Sequence, residues 1–147
     1  MVALARQRMK KGFTLVEVLV VVVVIAILAA VVLPKFVNSG LRSKESALRS
    51  DLKLSRNAVE MFHNDCDAWP NSLADLAVTT APANGVDDSG NSKAIIAANW
   101  KGPYVAAVEV DPVSGNALTY SKTAGSVGKV TASATGNDSS GVAYSTY

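Results

Sequence analysis

The stretch Lys10-Lys11-Gly12-Phe13-Thr14-Leu15-Val16-Glu17 runs into an apolar segment that ends at Leu33-Pro34. Of the 21 residues from Phe13 to Leu33, only Thr14 and Glu17 are polar. As a helix rising about 1.5 Å per residue they cover roughly 31 Å, the thickness of one bilayer core. Nine of them are valine, a mediocre helix former in water. In hydrocarbon each unpaired amide costs several kcal/mol, so a lone spanning segment is helical whatever its propensity. Glu17 does not fit this pattern: an acid at mid-membrane costs about 2.5 to 3.5 kcal/mol and calls for a partner or a use.

Charge supplies the topology. The chain carries 14 Lys and Arg against 12 Asp and Glu, a net charge of +2. Arg6, Arg8, Lys10 and Lys11 all precede Gly12, so without that leader the balance is 10 against 12, or −2. The basic excess belongs to the leader and says nothing of nucleic-acid affinity in the remainder. Four cations ahead of a spanning segment hold that end in the cytoplasm and direct the rest outside. The single cysteine, Cys66, excludes an intrachain disulfide. A plain signal anchor accounts for the same hydropathy. A secretory signal cut after Ala30 fits less well, because its apolar core spans about 7 to 15 residues and a polar break follows.

The wording of the junction separates these readings. Lys10-Lys11-Gly12 followed by Phe13-Thr14-Leu15-Val16-Glu17 resembles the class III signal of type IV pilins and type II secretion pseudopilins. The resemblance is close over residues 10 to 36. It implies cleavage by a prepilin peptidase after Gly12, N-methylation of Phe13, an assembly role for Glu17, and a helix-kinking proline at Pro34. It also implies a homopolymeric filament, an inner-membrane assembly platform and an ATPase. The precursor would sit in the inner (cytoplasmic) membrane as a single pass with its head extracytoplasmic, before passing into a pilus or a periplasmic pseudopilus. Physically, the Glu17 of one subunit could neutralise the Phe13 amine of another, removing two desolvation penalties only in the correct axial register. The plainer reading is that Glu17 snorkels and favours the positive end of the helix dipole.

Beyond Pro34, which should kink the helix rather than stop it, the helical pattern resumes. Leu41, Leu48, Leu52, Ser55, Val59 and Phe62 lie on one face, with Ala47, Ala58 and Met61 beside it, and the helix is expected to end near His63-Asn64. Arg42, Arg49, Lys53 and Arg56 form a basic flank. Glu45 lies four residues before Arg49 and Glu60 four after Arg56, so intrahelical or intersubunit pairing explains that flank. No aromatic residues interleave to stack bases, which argues against a nucleic-acid partner and a DNA-uptake role. His63-Asn64-Asp65-Cys66-Asp67 mimics a metal site, but no second His or Cys exists to complete a zinc set.

The remainder reads as a small head. Trp69-Pro70-Asn71-Ser72-Leu73-Ala74-Asp75-Leu76 suggests a short amphipathic turn closing one end of a core. Residues 77–99 read as a loop with a short helix over 93–98. Strands are expected over 104–110, 117–122, 129–135 and 142–147. Gly102-Pro103-Tyr104 and Asp111-Pro112-Val113-Ser114-Gly115-Asn116 resemble signatures of major pseudopilins, with Val113-Ser114 loosening the usual run. In those proteins a loop of this region binds calcium. Here Asn137 and Asp138 are the weak candidate ligands, and one carboxylate is a thin supply for an ion that takes 6 to 8 oxygens. No cofactor is expected. A lone histidine and no nucleophile or phosphate-loop motif argue against an enzyme.

These readings divide the chain into a leader at 1–12, a membrane and filament-core helix at 13–34, its amphipathic continuation at 35–64 and a head at 65–147 with its sheet within 104–147. The fold class is α+β, a long N-terminal helix packed on a small antiparallel β-sheet. The function expected is that of a structural subunit of a type IV pilus or type II secretion pseudopilus. The competing class is a single-pass anchored binding module outside the cytoplasm that never polymerises.

Overall fold

A computed structural model describes residues 12–147, with side chains apart from those of 34–38. The leader cations Arg6, Arg8, Lys10 and Lys11 therefore lie outside the described residues. Two compact units divide between Asn38 and Ser39. One helix, α1, spans Leu15–Cys66 and continues through Pro34, whose side chain is also outside the description. Within it, Leu15–Leu33 is long and apolar enough to cross a membrane, and none of its residues is buried among the described residues. The other described elements are a 3-10 helix at Leu73–Leu76, strands β1 (Asn84–Val86), β2 (Ser92–Ala94), β3 (Thr119–Tyr120) and β4 (Val130–Thr131), and a 3-10 helix at Tyr144–Thr146.

Residues 39–147 have their own core. Glu45, Leu48, Leu52, Ser55, Val59, Phe62 and Cys66 are buried at alternating steps of three and four, one continuous stripe of α1. Leu73, Leu76, Leu118, Val130, Ala132, Ala134 and Tyr144 close over it. Removing a side chain such as Leu52 or Phe62 from water contributes about 1.5 to 3 kcal/mol. Leu54 and Met61 point away from this core and stay about half exposed.

The helix passes the expected stop at Asn64 and ends after Cys66, because Asp67 adopts a left-handed backbone (φ 51°) that cannot continue it. Lys93 supports that conformation: its ammonium lies 2.9 Å from the Asp67 carboxylate and also donates to the Asp67 carbonyl. A charge pair remote in sequence thus sets a boundary that local propensity placed earlier.

The sheet is smaller than expected and differently placed. β1 and β2 pair antiparallel, Asn84 opposite Ala94, inside the region read as a loop, so the short helix expected over 93–98 is not formed. β3 and β4 pair antiparallel, Thr119 opposite Thr131 and Tyr120 opposite Val130. The strand expected over 104–110 is replaced by irregular chain. The Tyr104 and Val105 amides donate to the Leu76 carbonyl (2.8 and 3.2 Å), so the 3-10 helix rather than a neighbouring strand satisfies them. Only single bridges, Val110 to Ala117 and Asn137 to Ala143, mark the other expected ladders. Instead of a last strand, Tyr144–Thr146 turns back so that Tyr144 enters the core.

Candidate functional site

Two residues, Thr14 and Glu17, build the N-terminal end of α1. The Thr14 hydroxyl donates to Glu17 Oε2 at 2.9 Å, the Thr14 amide donates to the same oxygen at 2.9 Å, and the Glu17 amide donates back to the hydroxyl at 3.3 Å. This reciprocal box satisfies amides that the first turn leaves without partners and places an anion at the positive end of the helix dipole. Gly12 and Phe13 precede it outside the helix. A Cβ at Gly12 would meet nothing within 4 Å, and Phe13 is 83% exposed. The Gly12–Phe13 bond is open to approach. Thr14 is the residue that sequence reasoning missed, although Thr-x-x-Glu before an apolar run signals a capped helix start.

The basic flank of α1 faces inward in part. Arg49 Nη2 lies 2.8 Å from Asp138 Oδ2 and also donates to the Tyr147 hydroxyl, and its guanidinium sits 4.7 Å over the Tyr147 ring. Arg56 donates to the Val130 carbonyl through Nε and Nη2 (2.9 and 2.8 Å) and also reaches the Tyr147 carbonyl. Glu45, one turn before Arg49, accepts the Ser139 amide at 2.8 Å, the Ser139 hydroxyl at 2.6 Å and the Tyr144 hydroxyl at 3.1 Å. The Ser139 hydroxyl holds the Glu45 carboxyl below its ordinary range, against the effect of burial. Neither expected intrahelical pair, Glu45 with Arg49 or Arg56 with Glu60, closes among the described residues. Instead these side chains fasten the last dozen residues of the head to α1.

Asp111 is fully buried and organises a second junction. Oδ1 accepts the amides of Val113 (2.8 Å) and Ser114 (3.1 Å), and Oδ2 accepts the amides of Ser133 (3.0 Å) and Ala134 (2.7 Å) and the Ser133 hydroxyl (3.2 Å). Burial pushes this carboxyl up, but the amides outweigh it and hold it below the ordinary range. The Asp-Pro segment is thus a turn tied to the chain after β4.

The metal-like stretch disperses. His63 stacks on Trp69, ring centroids 3.8 Å apart. Asp65 accepts from the Tyr104 hydroxyl at 3.0 Å and pairs with Lys101 at 3.3 Å, while Cys66 is buried 4.0 Å from the same hydroxyl, its thiol pushed up by burial. Among the described residues no group of three His, Cys, Asp or Glu is placed to hold a metal ion.

Residues 7–33 match the family described as the prokaryotic N-terminal methylation motif. The type II secretion system core protein G of Pseudomonas aeruginosa is 29% identical, over 67% of this chain and 82% of that protein. The same-named protein of Aeromonas hydrophila is 30% identical, over 67% of this chain and 73% of its own length. The type IV wide pilus major component of Thermus thermophilus is 33% identical, over 65% of this chain and 78% of its own. No solved structure matches. Because relatives 30% and 33% identical are covered over 73% and 78% of their own lengths, the chain belongs to the type IV pilin-like proteins, the family of type IV pilins and type II secretion core protein G.

Proposed function

We propose that this chain is a structural subunit of a type IV pilus or a type II secretion pseudopilus. It is held in the inner membrane as a single-pass precursor and polymerises after cleavage following Gly12. The observation that carries this reading is that Leu15–Leu33, within the stretch that matches the methylation motif, is an apolar helix none of whose residues is buried among the described residues. Such a helix needs either lipid or the same helix from other copies as its surroundings. Bundled copies supply the second. The leader cations Arg6, Arg8, Lys10 and Lys11 orient the precursor with residues 39–147 outside.

In the isolated chain Glu17 is satisfied by Thr14, which reduces the cost of holding a carboxylate at the membrane boundary. On assembly, Glu17 turns from Thr14 to the new Phe13 amine of a neighbouring subunit, which fixes the axial register. A prepilin peptidase, an inner-membrane platform and an ATPase are the partners this route requires. Arg49 and Arg56 are engaged within the head, which leaves Arg42 and Lys53 of the basic flank and supports the filament role over DNA uptake.

The test is intact mass and N-terminal fragmentation of the protein taken from native membranes and from sheared surface material. N-methylated Phe13 as the first residue is the expected result, and its fraction separates pilus from pseudopilus. A mature protein that starts at Met1, or after Ala30, overturns the proposal in favour of an anchored module or a secreted one.

A further inference from the structure

The calcium ion that the family resemblance implies does not fit the residues present. Asp138, with a side chain only 1% exposed, is the carboxylate of the candidate loop. It accepts the amides of Ser140 and Val142 (both 2.8 Å), the Ser140 hydroxyl (2.7 Å), the Tyr147 hydroxyl and the Arg49 guanidinium (2.8 Å). Calcium needs 6 to 8 oxygens turned toward one point. Here the Ser139 and Ser140 hydroxyls donate to Glu45 and Asp138, and the other candidate, Asn137, is exposed. A divalent ion would have to expel a guanidinium already seated on the carboxylate.

We propose that Arg49, whose side chain is 57% exposed, caps the buried Asp138 from the solvent side: it takes the electrostatic place of a metal ion at Asp138 and closes the segment 136–147 onto α1 without calcium. Three features carry the assignment. Arg49 rises from α1 one turn after Glu45, beside the buried stripe, so its position is set by a helix rather than by a loop. Its Nη2 donates to Asp138 and Tyr147 at once, and the guanidinium lies over the Tyr147 ring. Glu45, one turn earlier, holds Ser139 and Tyr144 of the same segment, so carboxylate and guanidinium together bind both sides of the Asp138 turn. The Tyr147 hydroxyl passes the interaction on by accepting from Arg49 and donating to Asp138.

The experiment is a thermal melt of the full chain as dispersed subunits in detergent, followed by near-ultraviolet circular dichroism, in calcium chloride and in EGTA. A specific calcium site filled about a hundredfold above its dissociation constant would raise melting by on the order of 10 °C. The expected result is coincident curves. Arg49→Gln is expected to lower melting by roughly 4 to 8 °C and to open 136–147 to proteolysis, and Arg49→Lys, which keeps the charge but not the planar guanidinium over the Tyr147 ring, to fall between. Tyr147→Phe, which removes one hydroxyl and is the milder change, is expected to melt lower than the parent with no calcium response. A calcium-dependent rise in the parent, or an Arg49→Gln variant that melts with the parent, overturns the proposal. Dispersed subunits report on the head alone, so either result leaves the filament reading standing or falling on its own test.

Discussion

Replacing Asp111 by Asn changes one atom in a side chain that no water reaches, and its effect follows from hydrogen-bond bookkeeping. The retained oxygen can still accept from Val113 and Ser114, but the new amide nitrogen faces the Ser133 and Ala134 amides, donor against donor. Each buried donor left without an acceptor costs about 1 to 3 kcal/mol, so two together cost roughly 2 to 6 kcal/mol. Turning the amide over only moves the conflict to Val113 and Ser114. For a head of this size the loss corresponds to a fall in melting temperature on the order of 10 to 20 °C. The assay is a thermal melt of the full chain in detergent at pH 7, repeated down to pH 2. The pH series adds a signed check. The folded Asp111 carboxyl lies below its ordinary value, so its stabilisation is complete above the unfolded value of about 4 and is lost as pH falls through the lower folded one. The parent should lose stability below about pH 4, and Asp111→Asn should show a shallower acid limb. A variant that melts within about 2 °C of the parent refutes the claim that the buried carboxylate holds these two segments together.

Glu17→Ala is expected to leave cleavage after Gly12 intact, since the Gly12–Phe13 bond is untouched, while abolishing fibres. Mass spectrometry of membranes alongside electron microscopy of sheared material measures both, and normal fibres would remove the register role. Gly128→Ala should destabilise the head, because Gly128 has φ 80° and an added Cβ would stand 2.4 Å from the Trp69 ring. The left-handed backbone alone costs about 1 to 2 kcal/mol, before the overlap is relieved. Melting unchanged from the parent would contradict the close approach of these two segments. Phe62→Ala should cost about 3 to 5 kcal/mol in denaturant titration, as a fully buried aromatic near the C-terminal end of the α1 stripe.

How legible each part was depended on how local its physics is. The apolar length of 15–33 and the inward face through Leu48, Leu52, Ser55, Val59 and Phe62 follow from composition and the 3.6-residue period, which need no knowledge of what packs against them. The methylation motif is contiguous and equally open to reading. The Thr14–Glu17 box is also local, three residues apart, and is legible as Thr-x-x-Glu ahead of an apolar run. Strands of two or three residues are shorter than the alternation that would reveal them, so nothing local marks β1 and β2, and over 104–110 the Leu76 carbonyl takes the Tyr104 and Val105 amides that a strand would have used. The roles of Arg49, Arg56 and Glu45 were out of reach for a different reason. Spacing along α1 offered each a partner four residues away, whereas their actual partners lie 74 to 99 residues on. By itself, then, the sequence determined an apolar N-terminal helix, its processing signal and the face that α1 turns to its head. Tertiary structure decided which charges are fastened inside that head, because a hydrogen bond between remote segments exists only after chain closure has brought donor and acceptor within about 3 Å.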